Sequence, residues 1–263
     1  MFGAAVPAAR DRFEYASFPD GGYTAIREWR QGDEILWVMD HGPLGYLSIA
    51  AHGHADALSL WLHINGRPVL VDAGTYLYHS GGPWRQYFRS TAAHNTLTMM
   101  GQDSSTMAGA FNWLHKARCR LLDQADGVDQ WIAEAEHDGY EARFGLRHRR
   151  RLERLGTSGV RLTDSLHGKG LDQHVEIGFQ VAAGLDITHK AEGWLISENG
   201  KPLLLIVHTG GLHGRVEGAC ESPICNWHSP AFGERVPAQR LLFSGQMGTK
   251  AANDFNFITS FKA

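Results

Sequence analysis

Three histidines and one aspartate in the first part of the chain are candidate metal ligands. His52 and His54 are separated by one glycine, so their side chains lie on the same side of an extended segment. Asp72 ends an apolar run, and His94 lies on a short polar segment before another such run. Imidazole nitrogens and a carboxylate oxygen suit zinc, which accepts both kinds of ligand. The residues alone leave a second interpretation open, in which these side chains are only hydrogen-bonded at strand ends.

The segment from Ala57 to Asp72 is the clearest local element that would position these groups. Asn65 and Gly66 form the strongest short hairpin signal, because a type I′ turn needs two residues that tolerate positive φ. If these two residues form the loop, Ser59 pairs with Asp72. We therefore expect Asp72 at the open end of the hairpin, which the preceding histidines also approach.

Short apolar or alternating runs recur along the chain with glycine-rich turns between them, which is typical of an all-β sandwich or barrel. No amphipathic helix of three turns stands out. We expect a large antiparallel β-sandwich over residues 21–263, preceded by a lead-in segment over residues 1–20. The predicted strands are Gly22–Trp29, Glu34–Met39, Tyr46–Ala50, Ala57–Ile64, Pro68–Val71, Asn95–Met99, Cys119–Leu122, Gln130–Ala135, Leu146–Leu155, Val160–Ser165, His174–Val181, Trp194–Ser197, Leu203–Val207, Arg240–Phe243 and Phe255–Phe261.

Composition excludes several classes of protein and partner. The chain has 263 residues and a net charge of −3, which leaves no overall electrostatic footprint for a nucleic-acid backbone. No segment approaches the ~18 apolar residues of a membrane span. The three cysteines, Cys119, Cys220 and Cys225, are an odd number without a CxxC pair, which favours unpaired thiols over a disulfide framework.

Three ordered motifs carry a resemblance to a known family. They are His52–Ser59, Arg67–Tyr76 and Tyr87–Thr96, with a weaker match at Trp227–Gly233. Together they resemble the C-terminal sandwich domain of the heparinase II/III family of bacterial polysaccharide lyases. The resemblance implies zinc ligands at His54, Asp72 and His94, and it implies that His52 faces the substrate cleft.

The resemblance also implies a reaction, the β-elimination of polysaccharides that contain uronic acid, such as heparan sulfate or alginate. This chemistry needs the uronate carboxylate neutralised, a proton removed from C5 and the leaving oxygen at C4 protonated. His52 is the candidate for the base or charge-stabilising role. Three tyrosines are not ranked by the sequence: Tyr76 at the end of the second motif, Tyr78, and Tyr87 at the start of the third motif. Candidate substrate contacts are Trp84 and Arg89.

A departure from the family pattern concerns the helical toroid that precedes the sandwich in these lyases. The toroid supplies the main catalytic tyrosine and an Asn or His that neutralises the carboxylate, and this chain shows no such region. We therefore expect a C-terminal domain that is inactive alone, whose partners are the toroid and an acidic polysaccharide, and whose parent is a periplasmic or secreted bacterial enzyme. The alternative is a non-catalytic module that binds glycan or docks to a partner in exopolysaccharide handling.

Overall fold

The computed structural model describes residues 12–30, 32–46, 48–156 and 159–259. Over these residues strand is the main secondary structure, at 55%, and helix is limited to α1 Pro83–Arg89, a 3₁₀ turn at Thr91–Ala93 and α2 Glu141–Phe144. The strands are β1 Phe13–Phe18, β2 Tyr23–Arg30, β3 Asp33–Asp40, β4 Leu60–Ile64, β5 Arg67–Leu70, β6 Leu97–Met99, β7 Thr106–Met107, β8 Trp113–His115, β9 Cys119–Gly127, β10 Gln130–His137, β11 Leu146–Leu155, β12 Gly159–Gly168, β13 Gln173–Val181, β14 Asp186–Lys190, β15 Gly193–Glu198, β16 Lys201–Thr209, β17 His213–Glu217, β18 Cys220–Glu221, β19 Ile224–Cys225, β20 Trp227–His228, β21 Val236–Pro237, β22 Gln239–Met247 and β23 Ala252–Ile258.

Two large antiparallel sheets form the architecture. The first has nine strands in the order β1-β2-β3-β4-β5-β13-β22-β17, with β6 paired to β13. The second has eight strands in the order β14-β15-β16-β23-β12-β11-β10-β9. Three two-stranded pairs, β7–β8, β18–β19 and β20–β21, lie outside these sheets. The predicted all-β antiparallel sandwich is confirmed.

Aromatic side chains from both sheets meet in the core between them. Trp37 on β3 contacts Phe257 on β23 edge to face, with ring centroids 5.1 Å apart. Phe179 on β13 packs on Phe255 at the same separation of 5.1 Å. All four side chains are buried, and burying large apolar side chains on both inner faces is what makes the two sheets pack.

The predicted hairpin forms, with one irregularity. Asn65 and Gly66 have φ of 53° and 73°, as a type I′ turn requires, and Ile64 pairs with Arg67. Beyond His63 the register shifts by one residue, so that Leu62 pairs with Leu70. Such a bulge turns the strand. The unshifted register that would pair Ser59 with Asp72 is therefore wrong beyond His63, and both Val69 and Leu70 are buried.

Two strand predictions and the lead-in prediction meet different outcomes. The strand predicted at Tyr46–Ala50 is wrong: its described residues form bends and turns, flanked by positive φ at Gly45 and Ala50. Residues 1–11 of the lead-in lie outside the described residues, whereas Phe13–Phe18 in the same segment forms β1, because Phe13 and Tyr15 pack against the core. The predicted strand Phe255–Phe261 ends at Ile258, and its last two residues are also outside the described part.

A smaller apolar cluster lies outside the sandwich core and supports the loops. It contains Ala73, Tyr87, Phe88 and Ala93, with Trp84, Ile224 and Trp227 among the partly buried residues packed on it. This cluster fixes α1 and the 3₁₀ turn against the ends of the first sheet. In the described part of the chain, no helix has the length and apolar character of a membrane span.

Candidate functional site

His54, Asp72 and His94 come together where three loops meet, and we call these three residues the site triad. His54 lies in the long loop between β3 and β4, Asp72 follows β5 directly, and His94 ends the 3₁₀ turn. One ligand atom from each residue lies within 4.8 Å of the other two. Elsewhere among the described residues, no other such group of His, Cys, Asp or Glu occurs.

The distances within the site triad fit a tetrahedral metal site. His54 Nδ1 lies 3.2 Å from His94 Nε2, and His94 Nε2 lies 3.4 Å from Asp72 Oδ1. Two ligands bound to zinc at about 2.0–2.1 Å with tetrahedral angles are about 3.3 Å apart. These two pairs of donor atoms are therefore spaced as edges of a zinc tetrahedron.

Hydrogen bonding determines which nitrogen of His94 is free to bind a metal. His94 Nδ1 lies 2.7 Å from the carbonyl oxygen of Ser90, so Nδ1 carries the proton and donates it there. His94 Nε2 then presents a lone pair towards Asp72 Oδ1, which is also an acceptor. Two acceptors that face each other are stabilised by a cation between them. The donor set thus fits a metal ion, and the Ser90 carbonyl orients the imidazole as outer-shell partners of metal ligands do.

The protonation states in the site triad suit metal binding. Burial, and after it the nearby charge of His94, lowers the pKa of His54 to about 3. Desolvation raises the pKa of Asp72, but His94 and His54 outweigh it, and the net shift is downward. His54 is therefore neutral and Asp72 ionised near neutral pH, which are the forms that bind metals.

Asn95 joins the loop of His94 to the strand end that carries Asp72. Its amide nitrogen donates to the carbonyl oxygens of Leu60 and Val71 at 2.8 and 2.9 Å. Its amide oxygen accepts from the Gln180 backbone at 2.6 Å. Asn95 is fully buried, and every one of these bonds reaches a different strand end. A satisfied buried amide of this kind sets the relative position of two ligands that are far apart in sequence.

Arg240 supports the same loop from the first sheet. Its guanidinium donates to the carbonyl oxygens of Ala92 and His94, the latter at 2.9 Å. The side chain reaches them by crossing Gly178 on β13, where a Cβ atom would overlap the guanidinium. Gly74 likewise has no room for a side chain, since a Cβ there would overlap the carbonyl oxygen of Ser229.

His52 and Tyr78 lie beside the site triad and form a second group. The side chain of His52 is exposed, and its ring packs edge to face on Tyr78 with centroids 5.0 Å apart. His52 and His54 both line a cavity of about 390 Å³, together with Asp56 and Asp40. Burial raises the pKa of Asp40 to about 6 and the pKa of Asp56 well above its usual value.

The other two candidate tyrosines have different surroundings. Tyr87 is buried, and its hydroxyl is bonded to both the backbone nitrogen and the carbonyl oxygen of Trp227, at 2.9 and 3.2 Å. Tyr76 packs on Trp84 and Phe88 at centroid distances of 5.9 and 5.8 Å. Of the three tyrosines, Tyr78 is therefore the one that the structure places against His52.

The two predicted substrate contacts are occupied by protein groups. Arg89 is fully buried, and its guanidinium donates to the carbonyl oxygens of Gly53, Gly109 and Ala110. It therefore supports the loop of the two histidines from beneath and does not face solvent. Trp84 is partly exposed, and the guanidinium of Arg235 lies 3.8 Å from its ring centroid.

Comparisons with known proteins identify the family. A family model described as "Heparinase II/III-like, C-terminal" matches residues 10–258. The chain belongs to this family. The heparinase II/III-like family match covers nearly all of the described residues, and it includes the site triad. No curated protein matches the chain.

Solved structures share the fold of this heparinase II/III-like domain. They include a heparinase III gene product with a TM-score of 0.74 and 17% identity, and a crystal structure of heparinase III with a TM-score of 0.75 and 17% identity. A heparan sulfate lyase from Pedobacter heparinus has a TM-score of 0.70 and 16% identity. The matches cover 95% of this chain and 36–37% of those chains. The chain thus spans little more than a third of these relatives.

Several residues that shape the site were not among the candidate site residues of the sequence. Thr75 places its hydroxyl 3.3 Å from His54 Nε2, and Arg85 holds its guanidinium 5.3 Å from the ring centroid of Tyr78. Asn95 and Arg240 act through main-chain carbonyls. The position of Asn95 directly after His94 was a sequence signal for its role. Arg240 lies 146 residues from His94 in the sequence, and no sequence signal pointed to their contact.

Proposed function

We propose that this domain forms the metal-bearing wall of the cleft in a polysaccharide lyase that cleaves uronic-acid glycans by β-elimination. The observation that carries the proposal is the exposed His52, which lies against Tyr78 at the rim of a cavity shared with His54. The family membership supports the same reading. The solved relatives are described as heparinase III and as heparan sulfate lyase, which are names for enzymes of this kind.

In this proposal His52 acts on the proton at C5 of the uronate. Histidine is the side chain best suited to exchange a proton near neutral pH, and the exposed imidazole of His52 is accessible for that exchange. Tyr78, in contact with the same ring, is the best placed of the three tyrosines to move a proton to or from the sugar. General acid and base groups of this kind each contribute about 10²- to 10⁴-fold to the rate.

We propose zinc as the ion held by His54, Asp72 and His94. Two imidazole nitrogens and one carboxylate oxygen form a donor set that zinc prefers, and the measured spacings match its bond lengths. When bound, zinc would supply positive charge that fixes three loops in place. His54 and His52 share one loop, so an ordered His54 also positions the proposed catalytic imidazole.

The proposed partner is an N-terminal helical domain that completes the cleft. Its support is the resemblance of the motifs to lyases with a helical toroid and the match to about 36% of a heparinase III chain. That domain would neutralise the uronate carboxylate.

The first test measures unsaturated uronate ends released from heparan sulfate, alginate and hyaluronan. We expect the 263-residue chain alone to release little or none. Robust turnover by this chain alone would contradict the shared-cleft proposal.

The second test uses the longer protein in which the domain is joined to its helical region. We expect His52→Gln to lower kcat by about 10²-fold or more, with zinc content unchanged. Tyr78→Phe should act similarly, whereas the matched control Tyr76→Phe should leave kcat nearly unchanged. Retained glycan binding without turnover in the unmodified longer protein would favour a non-catalytic glycan-binding module.

A further inference from the structure

Cys220 and Cys225 lie directly opposite each other on a small hairpin. They are paired residues on the antiparallel strands β18 and β19, joined by the turn at Ser222 and Pro223. Directly opposed residues in such a pair have Cα atoms about 4.5–5.5 Å apart and side chains on the same face. Disulfides need Cα atoms about 4.4–6.8 Å apart. The backbone of this hairpin therefore already has the separation that a disulfide requires.

The surroundings of the two thiols give them different accessibility. Cys220 is exposed, and Cys225 is partly buried against the small apolar cluster around α1. Burial raises the pKa of the Cys225 thiol, and the nearby Cys220 raises it further. An accessible first thiol and a sheltered second thiol are the arrangement in which a mixed disulfide formed outside is resolved inside.

We propose that Cys220 and Cys225 form an intramolecular disulfide when the domain meets a small-molecule disulfide. The Cys220 thiolate attacks one sulfur of the oxidant and releases a small thiol. The Cys225 thiolate then attacks the Cys220 sulfur and releases the second small thiol. The protein loses two protons and two electrons, and the oxidant gains them as two thiols. The third cysteine, Cys119, lies on β9 of the eight-stranded sheet and takes no part.

The disulfide would restrain the segment that packs against α1. Ile224 and Cys225 pack on the small apolar cluster, and the carbonyl oxygen of Cys220 accepts a hydrogen bond from Trp227 Nε1 at 2.9 Å. Glu221 pairs with Arg235, whose guanidinium lies 4.4 Å from the Trp227 ring centroid. A crosslink at the base of this hairpin therefore restrains the loop that carries Trp227. The proposal does not depend on lyase activity.

Thiol trapping after incubation with oxidised and reduced glutathione tests the pairing. The reduced chain is equilibrated, alkylated with iodoacetamide and digested with trypsin. Residues 216–235 contain no internal Lys or Arg, so both cysteines fall in one tryptic peptide. We expect this peptide to lose two hydrogens and to carry no alkyl group at high oxidised glutathione. Cys119→Ser should leave that result unchanged.

Single variants separate pairing within the chain from other oxidation. Cys220→Ser and Cys225→Ser should each leave one thiol that ends as a glutathione adduct or remains alkylated. Oxidation should raise the thermal midpoint of the unmodified chain and of Cys119→Ser, and of neither hairpin variant. The proposal fails if the peptide carries two alkyl groups or two glutathione adducts under oxidising conditions, or if oxidation produces only covalent dimers.

Discussion

The chain contains two clusters of two histidines and one aspartate, and they have opposite properties. The site triad is His54, Asp72 and His94. A second cluster, which we call the core triad, contains His137, His148 and Asp164. His148 Nε2 lies 2.6 Å from Asp164 Oδ1, and His148 Nδ1 lies 3.3 Å from His137 Nε2.

The two triads differ in whether each acceptor atom has a hydrogen-bond donor. In the core triad the Gly139 backbone donates to His137 Nδ1, so His137 donates to His148, and His148 donates to Asp164. Each ring nitrogen therefore has a partner of opposite role. Arg150 adds two bonds to Asp164, at 2.8 and 2.9 Å.

In the site triad two acceptors face each other instead, beside an open cavity. The same residue types thus form a closed hydrogen-bond network in one place and the proposed cation site in the other. What distinguishes them is the neighbouring donors, because a backbone N–H and an arginine satisfy the core triad without a metal.

Removing a histidine from each triad should give the largest contrast. We expect His94→Ala to weaken zinc binding by more than about 100-fold, since even the loss of an outer-shell partner costs about 10- to 100-fold. His148→Ala should retain zinc in its folded fraction. Elemental analysis of protein purified without chelators, with folding checked by circular dichroism, measures both. Equal zinc loss in the two variants would contradict the proposal that the site triad, and not the core triad, holds the metal.

Breaking the ion pair between Arg150 and Asp164 of the core triad should lower the free energy of unfolding more than it lowers metal affinity. Arg150→Met leaves the buried Asp164 carboxylate without its guanidinium, and removal of one partner from a buried pair costs about 3–5 kcal/mol. The neighbouring Arg149→Met is the matched control, because Arg149 is partly exposed and its loss should cost about 0–1 kcal/mol. Urea unfolding compares the two. Similar losses of unfolding free energy in the two variants would contradict the larger effect expected from the burial of Arg150.

Displacing Arg240 should loosen the site triad without touching a ligand. Gly178→Ala introduces a Cβ where the guanidinium lies, so the carbonyl oxygens of Ala92 and His94 lose their donor. We expect zinc affinity to fall by about 10- to 100-fold, as for other outer-shell changes. Gly211→Ala is the control, since a Cβ there meets no atom within 4 Å. Competition with a chromogenic chelator gives both affinities, and unchanged affinity in Gly178→Ala would contradict the supporting role of Arg240.

Acid should destabilise the core triad at mild pH. Burial lowers the pKa of both His137 and His148, whereas in the unfolded chain each titrates near 6.5. Protons therefore bind the unfolded state better, and stability is full above pH ~6.5 and falls as the pH drops below it. Each histidine contributes up to about 1.4 kcal/mol per pH unit.

The variant His137→Gln isolates one of these protons. The unfolding free energy, measured by urea between pH 7 and pH 5, should fall less steeply in His137→Gln than in the unmodified chain. An unchanged slope in His137→Gln would show that this histidine does not resist protonation.

Local patterns in the sequence predicted the fold class and much of the strand layout. Alternation of apolar residues identified strands such as His174–Val181, because one face of each strand must be buried. Failures occurred where neighbours decide the conformation. The run at Tyr46–Ala50 has strand-like composition but no sheet partner, and the bulge near Leu62 depends on pairing between β4, β5 and β13. Neither effect is visible in local composition.

The candidate site divides in the same way. The motif around His52 and His54 and the hairpin turn at Asn65 indicated which residues could hold a metal, since ligand type and spacing are written in the chain. The ranking of Tyr78 over Tyr76 and Tyr87 required knowledge of which ring meets His52. The buried position of Arg89 likewise follows from carbonyl groups that converge from distant loops.

By itself, the sequence determined the all-β class, the hairpin turn and the chemical types available at the site, because these depend on nearby residues. Only the tertiary structure decided that His94 and Asp72 present facing lone pairs beside His54, while His137, His148 and Asp164 satisfy one another. The physical reason is that protonation and ligand geometry depend on donors such as Ser90, Gly139 and Arg150, and folding alone brings those donors into contact.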